Sequence, residues 1–152
     1  PPRFLCLKAG EQELSVRLLE QRFPDYRRIV PEAWKIRFDF SRQALMEALR
    51  RVSSLSTERF RGVVFTLGDK EMEVTFDSPE VGRGREVVEI LEKSGDLKEQ
   101  ITIGFNARYL LEPLAVMKGE RVVLDLNEPT QPVRLMDPAD PLASWLVMPM
   151  DI

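Results

Sequence analysis

Histidine is absent from all 152 residues, and that one absence removes a large share of enzyme chemistry. Ser-His-Asp and Cys-His catalysis need an imidazole to carry the proton, and most catalytic zinc sites need one as a ligand. Cysteine occurs once, as Cys6, so no disulfide forms within the chain, a usage that suits the reducing cytoplasm. No apolar run approaches the ~20 residues of a membrane-spanning helix, and no signal-peptide pattern opens the chain. A basic excess is missing too: 22 Lys and Arg face 25 Asp and Glu, a net charge of −3. That balance argues against a protein that holds nucleic acid mainly by neutralising phosphates, so any such role must rest on local charge or on shape.

The short motifs of catalysis are equally scarce. No GxxxxGK[ST] phosphate loop is present, and "GRG" at Gly82–Gly84 lacks the third glycine and following helix of a dinucleotide fingerprint, so it reads as a turn or bulge. "DLNEP" at Asp125–Pro129 alternates oxygen ligands but lacks the loop glycine and closing glutamate of a calcium site, and reads as a solvated hairpin end. Acids are scattered, and nothing singles out a pair for acid–base work. The expectation is a protein that is not an enzyme and takes no cofactor or metal.

What is present describes a globular chain: 43% apolar and 31% charged, long enough for one ordinary domain and part of another. The opening "PPRF" has no methionine, and the expectation is a piece of something longer. An internal repeat organises most of it. "IRFDFSRQALMEAL" (36–49) and "ITIGFNARYLLEPL" (101–114) align without a gap, each residue 65 positions from its counterpart. Residues 36, 38 and 40 alternate with polar ones as in a half-buried strand, and Ser41 or Asn106 offers an oxygen to the amides of a following helix. Apolar residues then recur at helical spacing: Leu45, Ala48, Leu49 and Val52, against Leu110, Leu114 and Met117.

After each helix the period falls back to two. "RGVVFTLGDKEMEVTFDSP" predicts two strands around Gly68–Lys70, and "GREVVEILEKS" a third strand or a short helix. "ERVVLDLN", "PVRLMD" and "SWLVMPM" predict three more. The unit is strand–helix–strand–strand–strand, used twice, and the fold class is α+β with two helices packed against antiparallel sheet. Pro113 lies inside the second helix and should bend or shorten it. Upstream, "RFLCLKAGEQELSVRLLE" predicts a hairpin around Ala9–Gln12. "QRFPDYRRIVPE", bracketed by Pro24 and Pro31, reads as an ordered connector or a plain interdomain linker.

The ending is unusual for a terminus, since Trp145, Leu146, Val147, Met148 and Met150 crowd around Pro149. Together with the connector it carries a resemblance. "RFPDYRRIVP" (22–31), "ERFRGVVF" (58–65), "IGFNARYLL" (103–111) and "LVMPM" (146–150) resemble the bacterial DNA polymerase III β subunit family, the β sliding clamps, in order and spacing. The resemblance implies a DNA-clamp fold. Residues 1–30 would be the last strands of the middle clamp domain and the interdomain connector, and 31–152 the C-terminal clamp domain. It implies a replication processivity factor, cytoplasmic, whose full-length homodimer encircles duplex DNA and tethers polymerases. A ring holds DNA topologically, which is compatible with the weak charge.

The family's partners, DNA polymerase and clamp-loader subunits, insert short linear peptides bearing a glutamine and one or two large hydrophobes into an apolar groove. Carried over by motif, that groove comprises Pro24, Arg28, Ile29, Phe60, Asn106, Tyr109, Pro132, Leu146, Val147, Met148, Pro149 and Met150. Pro149 would deny the strand a donor and leave its end unpaired, and the unbranched methionines would adapt to different partners. The resemblance also places Arg42, Arg50, Arg51 and Arg108 toward DNA and Leu55 at the subunit seam. Where the family often carries acids at the seam, this chain has Arg83 and Arg85. Lacking the other domains, the fragment is not expected to close a ring. Two rival readings remain: a structural repeat domain whose Met148 and Met150 are both shielded, and a carboxylate- or metal-dependent hydrolase with a clustered acid pair.

Overall fold

The repeat appears in the computed structural model as two copies of one unit; the structure describes residues 3–19, 25–54, 62–97 and 99–151. A hairpin comes first, β1 (Phe4–Ala9) paired with β2 (Gln12–Arg17) in a two-stranded sheet of its own. Every residue of both strands is exposed, as expected of two strands with no third element to cover them. The connector carries a single 3-10 turn at Tyr26–Arg28, with an Arg28–Asp25 ion pair at 3.3 Å.

The first copy then runs β3 (Ile36–Ser41), α1 (Arg42–Ser53), β4 (Gly62–Leu67), β5 (Glu71–Ser78) and β6 (Gly82–Ser94). The second runs β7 (Ile101–Asn106), α2 (Ala107–Val116), β8 (Arg121–Leu126), β9 (Val133–Met136) and β10 (Ser144–Val147). Both strand-to-helix junctions form as their caps predict. Ser41 accepts from the Ala44 amide at 3.3 Å and Asn106 from the Arg108 amide at 3.0 Å.

The copies interlock by exchanging strands. β3 pairs with β8 of the other copy and β4 pairs with β7, giving one eight-stranded antiparallel sheet in the order β10-β9-β8-β3-β6-β5-β4-β7. Leu45, Leu49, Leu110 and Leu114 from the two helices join Phe38, Phe40, Phe65 and Phe105 in a single core. Phe65 and Phe105 meet edge to face, 5.2 Å between ring centres. Burying such side chains is worth about 1.5–3 kcal/mol each, which explains why helices of only 12 and 10 residues are stable here.

Several expectations change. Residues 82–94 form a strand throughout, and Gly84 lies in the regular ladder opposite Phe76 rather than in a turn. β6 is long enough to pair with β5 through its first part and with β3 through its last, with a bulge between Asp39 and Phe40. Pro113 does not end α2, which continues to Val116 and is two residues shorter than α1. Nor is "DLNEP" merely a solvated bend. The Asn127 side chain accepts from the Lys35 amide and donates to the Ala33 carbonyl, and Lys35 pairs with Glu128 at 2.6 Å, so the hairpin end pins the connector's exit.

Two buried carboxylates have opposite electrostatic fates. Asp137, 2% exposed, accepts from the amides of Lys118, Gly119 and Ala139, and these bonds hold its pKa below the usual carboxylate value. Asp39, 8% exposed, is pushed upward because burial outweighs the Arg121 guanidinium beside it. The signs follow by linkage. A depressed pKa contributes stability above the unfolded value, near pH 4, that is lost as pH falls through the folded value; a raised one costs stability as pH climbs through the same region. Asp137→Asn is therefore expected to destabilise at pH 7 and flatten the acid limb of the stability profile, whereas Asp39→Asn is expected to be neutral or stabilising at pH 7. Urea unfolding from pH 2.5 to 7 checks both, and a pair of variants with matching profiles would refute the assignment.

Candidate functional site

The two copies differ most where their last strands end. The register of the sheet allows them to be compared residue by residue. In the first copy Phe65 lies between Ile103 and Val74, and Val74 pairs with Glu86. In the second, Leu124 lies between Phe38 and Leu135, and Leu135 pairs with Trp145. Phe38 and Ile103 are repeat counterparts, so Trp145 stands where Glu86 stands in the first copy. Val116, 65 positions after Arg51, likewise takes that arginine's place.

The consequence is chemical. Arg51 donates two hydrogen bonds to Glu86, at 2.9 and 3.0 Å, which tie α1 to β6. The second copy has valine and tryptophan at those places and no such tie. An open cleft of about 520 Å³ lies between α2 and β10, lined by Tyr109, Glu112, Pro113, Val116, Trp145, Leu146, Val147 and Met148. Its walls include several of the most exposed large apolar side chains: Tyr109 at 56%, Val116 at 63% and Met148 at 55%. Solvated apolar surface gathered in one concavity is what a binding groove offers.

Strand termination keeps the cleft open. β6 continues into pairing with β3, but β10 stops at Val147 and is followed by Pro149, which has no amide donor. The chain then returns to the sheet once, where the Met150 amide donates to the Gly104 carbonyl at 2.8 Å. The tail is thus not left unpaired, contrary to the expectation from Pro149. Met150 bridges the two edges of the curled sheet and still exposes 42% of its surface.

Of the twelve groove residues expected from sequence, Tyr109, Leu146, Val147 and Met148 line this cleft. Val147 is 4% exposed and belongs mainly to the core. Asn106 caps α2 one turn from Tyr109, and Pro132 precedes Val133, the partner of Val147. Pro149 and Met150 follow Met148 beyond the end of β10, and Met150 rejoins the sheet through its single bridge to Gly104. Arg28 and Ile29 are exposed on the connector. Pro24, Phe60 and the seam candidate Leu55 lie outside the described residues. Glu112, Pro113, Val116 and Trp145 were not anticipated. The signal for Val116 was available: an exposed helix position carries valine where its repeat counterpart carries arginine.

The four arginines expected to face DNA are unequal. Arg42 departs from the expectation, because its part-buried guanidinium donates to the carbonyls of Gly119 and Leu114 and so closes the end of α2. Arg51 is held by Glu86 and Glu47, and Arg108 by Glu112 at 2.6 Å. Arg50 is exposed and has no side-chain partner among the described residues. Arg83 pairs with Asp77 and Arg85 with Glu73 across the β5–β6 hairpin.

A larger open cleft, about 770 Å³, lies beside the connector's exit between Lys35, Asp96, Leu97, Gln100, Asn127 and Glu128. Its lysine and Glu128 neutralise each other, Asn127 is bonded to backbone, and Asp96, Glu99 and Gln100 complete a lining more polar than that of the cleft beside α2. Among the described residues no group of three or more Cys, Asp or Glu is arranged to hold a metal ion.

Comparison with known proteins bears on the whole chain. Residues 27–151 match the family described as DNA polymerase III beta subunit, C-terminal domain. The beta sliding clamp of Escherichia coli K12 is 30% identical over 141 residues, which is 93% of this chain but 37% of that protein. The crystal structure of the DNA polymerase III subunit beta from Pseudomonas aeruginosa superimposes with a TM-score of 0.87 at 29% identity, covering 99% of this chain and 40% of the other. A sliding clamp from the same organism bound to griselimycin gives a TM-score of 0.85, also at 29% identity, over 99% and 40% of the two chains.

Proposed function

The chain belongs to the DNA polymerase III β subunit family through its C-terminal domain, and from that premise we propose that it is the part of a sliding clamp that receives partner peptides. The observation that carries this reading is the solvated cleft between α2 and β10, with Tyr109 and Met148 exposed on its walls. The reading of a structural repeat with both methionines shielded is disfavoured by their exposure. A griselimycin-bound relative of the same fold adds support for a ligand-receiving surface in this family.

The proposed role is tethering, without catalysis. An extended peptide from a polymerase or clamp-loader subunit lays its large apolar side chains against Leu146, Met148 and Tyr109. Asn106, Pro132, Pro149 and Met150 extend the wall on one side, and Pro24, Arg28, Ile29 and Phe60 contribute from the connector and the α1–β4 segment. Unbranched methionines re-pack around different side chains at small cost, which suits one groove serving several partners. The chain spans 37% of the length of the E. coli relative. Residues 1–30 act as the end of a preceding domain and its connector, and 31–152 as the C-terminal domain. The full-length protein works in the cytoplasm as a homodimeric ring around duplex DNA, a ring that this fragment does not close, with Leu55 at its seam. Of the arginines, Arg50 is the one available for weak backbone contacts; Arg51 and Arg108 would first have to leave their carboxylates.

The test is an anisotropy titration with a labelled peptide of the Gln-Leu-x-Leu-Phe type. Saturable binding is expected, weakened at least about tenfold (~1.4 kcal/mol) in Met148→Ala/Met150→Ala. Leu142→Ala, at a side chain 98% exposed and outside the cleft, should leave it unchanged. A wild-type chain that shows no saturation, or a double variant that binds normally, refutes the reading.

A further inference from the structure

Past Val116 and Trp145 the cleft does not end. Those two residues are shared with a second, smaller pocket of about 270 Å³, completed by Met117, Lys118, Asp137, Ala139 and Asp140. We propose that this pocket is an additional seat in the peptide groove, taking one further large apolar side chain from a partner segment that extends beyond the core motif. The inference rests on the groove reading above and specifies which partners that groove prefers.

Three observations carry it. The first is continuity: Val116 and Trp145 line both cavities, so the two adjoin at the β10 side of the cleft. The second is the repeat. In the first copy the equivalent positions are closed by the Arg51–Glu86 ion pair, so the space between helix and last strand is filled from within. In the second copy the same positions carry valine and tryptophan, so no ion pair bridges helix and last strand there.

The third observation concerns the occupant's chemistry. Asp137 presents no charge-binding face, because its carboxylate is turned onto the amides of Lys118, Gly119 and Ala139. The rim carries one exposed lysine, Lys118, and one exposed aspartate, Asp140, whose charges oppose. The floor is Met117, 5% exposed, beside the half-buried Trp145 ring. An apolar floor with a rim of zero net charge favours a leucine, methionine or phenylalanine over a charged side chain.

The experiment uses this chain and three labelled peptides: the core motif alone, and the core motif lengthened at either end by a short linker ending in leucine. One extended peptide is expected to bind about tenfold more tightly than the core peptide, the gain from removing one large aliphatic side chain from water. Ala139→Arg places a cation in the small pocket from an exposed loop position outside the main cleft; it should abolish that gain and leave the core peptide's Kd within about twofold. Equal wild-type affinity for all three peptides overturns the inference alone, as does a gain that survives Ala139→Arg. If the core peptide itself fails to saturate, the groove reading falls and this inference falls with it.

Discussion

Replacing Asp125 by alanine is expected to lower the unfolding free energy by about 3 kcal/mol, one of the largest effects of any single change outside the aromatic core. Asp125 is fully buried on β8, and its two oxygens are held from both sides. Arg37 donates from Nε to Oδ1 at 2.7 Å and from Nη2 to Oδ2 at 3.1 Å, and Arg134 donates from Nε to Oδ2 at 3.0 Å. Arg134 in turn lies over the Trp34 ring, 5.0 Å from its centre. Deleting the carboxylate strands two guanidiniums that were positioned around it. Their side chains are 43% and 24% exposed, so both keep some access to water, which holds the cost to the lower end of the range for a broken buried pair. Asp125→Asn, which keeps an acceptor but not the charge, should cost less than alanine. Equilibrium urea unfolding measures both, and a loss under 1 kcal/mol for alanine would show that the arginines re-solvate freely.

Gly119→Ala is expected to cost about as much, roughly 3 kcal/mol, by a steric route. A Cβ at residue 119 would sit 2.2 Å from Oδ1 of Asp137 and 2.9 Å from its Cγ. The carboxylate cannot step aside without releasing its amide bonds, one of which comes from Gly119 itself. The Gly119 carbonyl also anchors Arg42, so displacing this turn loosens the joint between α1 and the end of α2. The floor of the small pocket lies in the same turn, so peptide selectivity should suffer along with stability. Thermal unfolding reads the first effect. A variant that melts with wild type would mean that the turn yields at little cost.

Much of this architecture was legible because it is local. The alternation of Ile36, Phe38 and Phe40, the caps Ser41 and Asn106, and the 65-residue offset each depend on neighbours in the chain. Strand exchange between the copies depends on pairs of residues 34 to 90 positions apart, and periodicity carries no information about partners. The site divided in the same way. Tyr109, Leu146 and Met148 belong to motifs that resemble a family, so they could be named. Val116 and Trp145 belong to no motif, and what sets them apart is the loss of an ion pair that their counterparts keep. Arg42 shows the converse: the resemblance suggests a place facing DNA, whereas its guanidinium donates to carbonyls at the end of α2, a contact that no local pattern announces.

Because β3 is flanked by β8 and β6, and β7 borrows β4, neither half of the molecule holds a complete sheet by itself. Severing the peptide chain in the Gly95–Gln100 crossover would leave two polypeptides with interdigitated hydrogen bonds, able to stay together as a noncovalent pair. Gly95 sits tightly there, since a methyl group on it would run into the Lys35 carbonyl at 2.1 Å. A single half-length ancestor, self-complementary about a twofold axis, would satisfy the same pairing scheme, and fusion would then free one copy's helix–strand crevice to diverge while the other stayed shut.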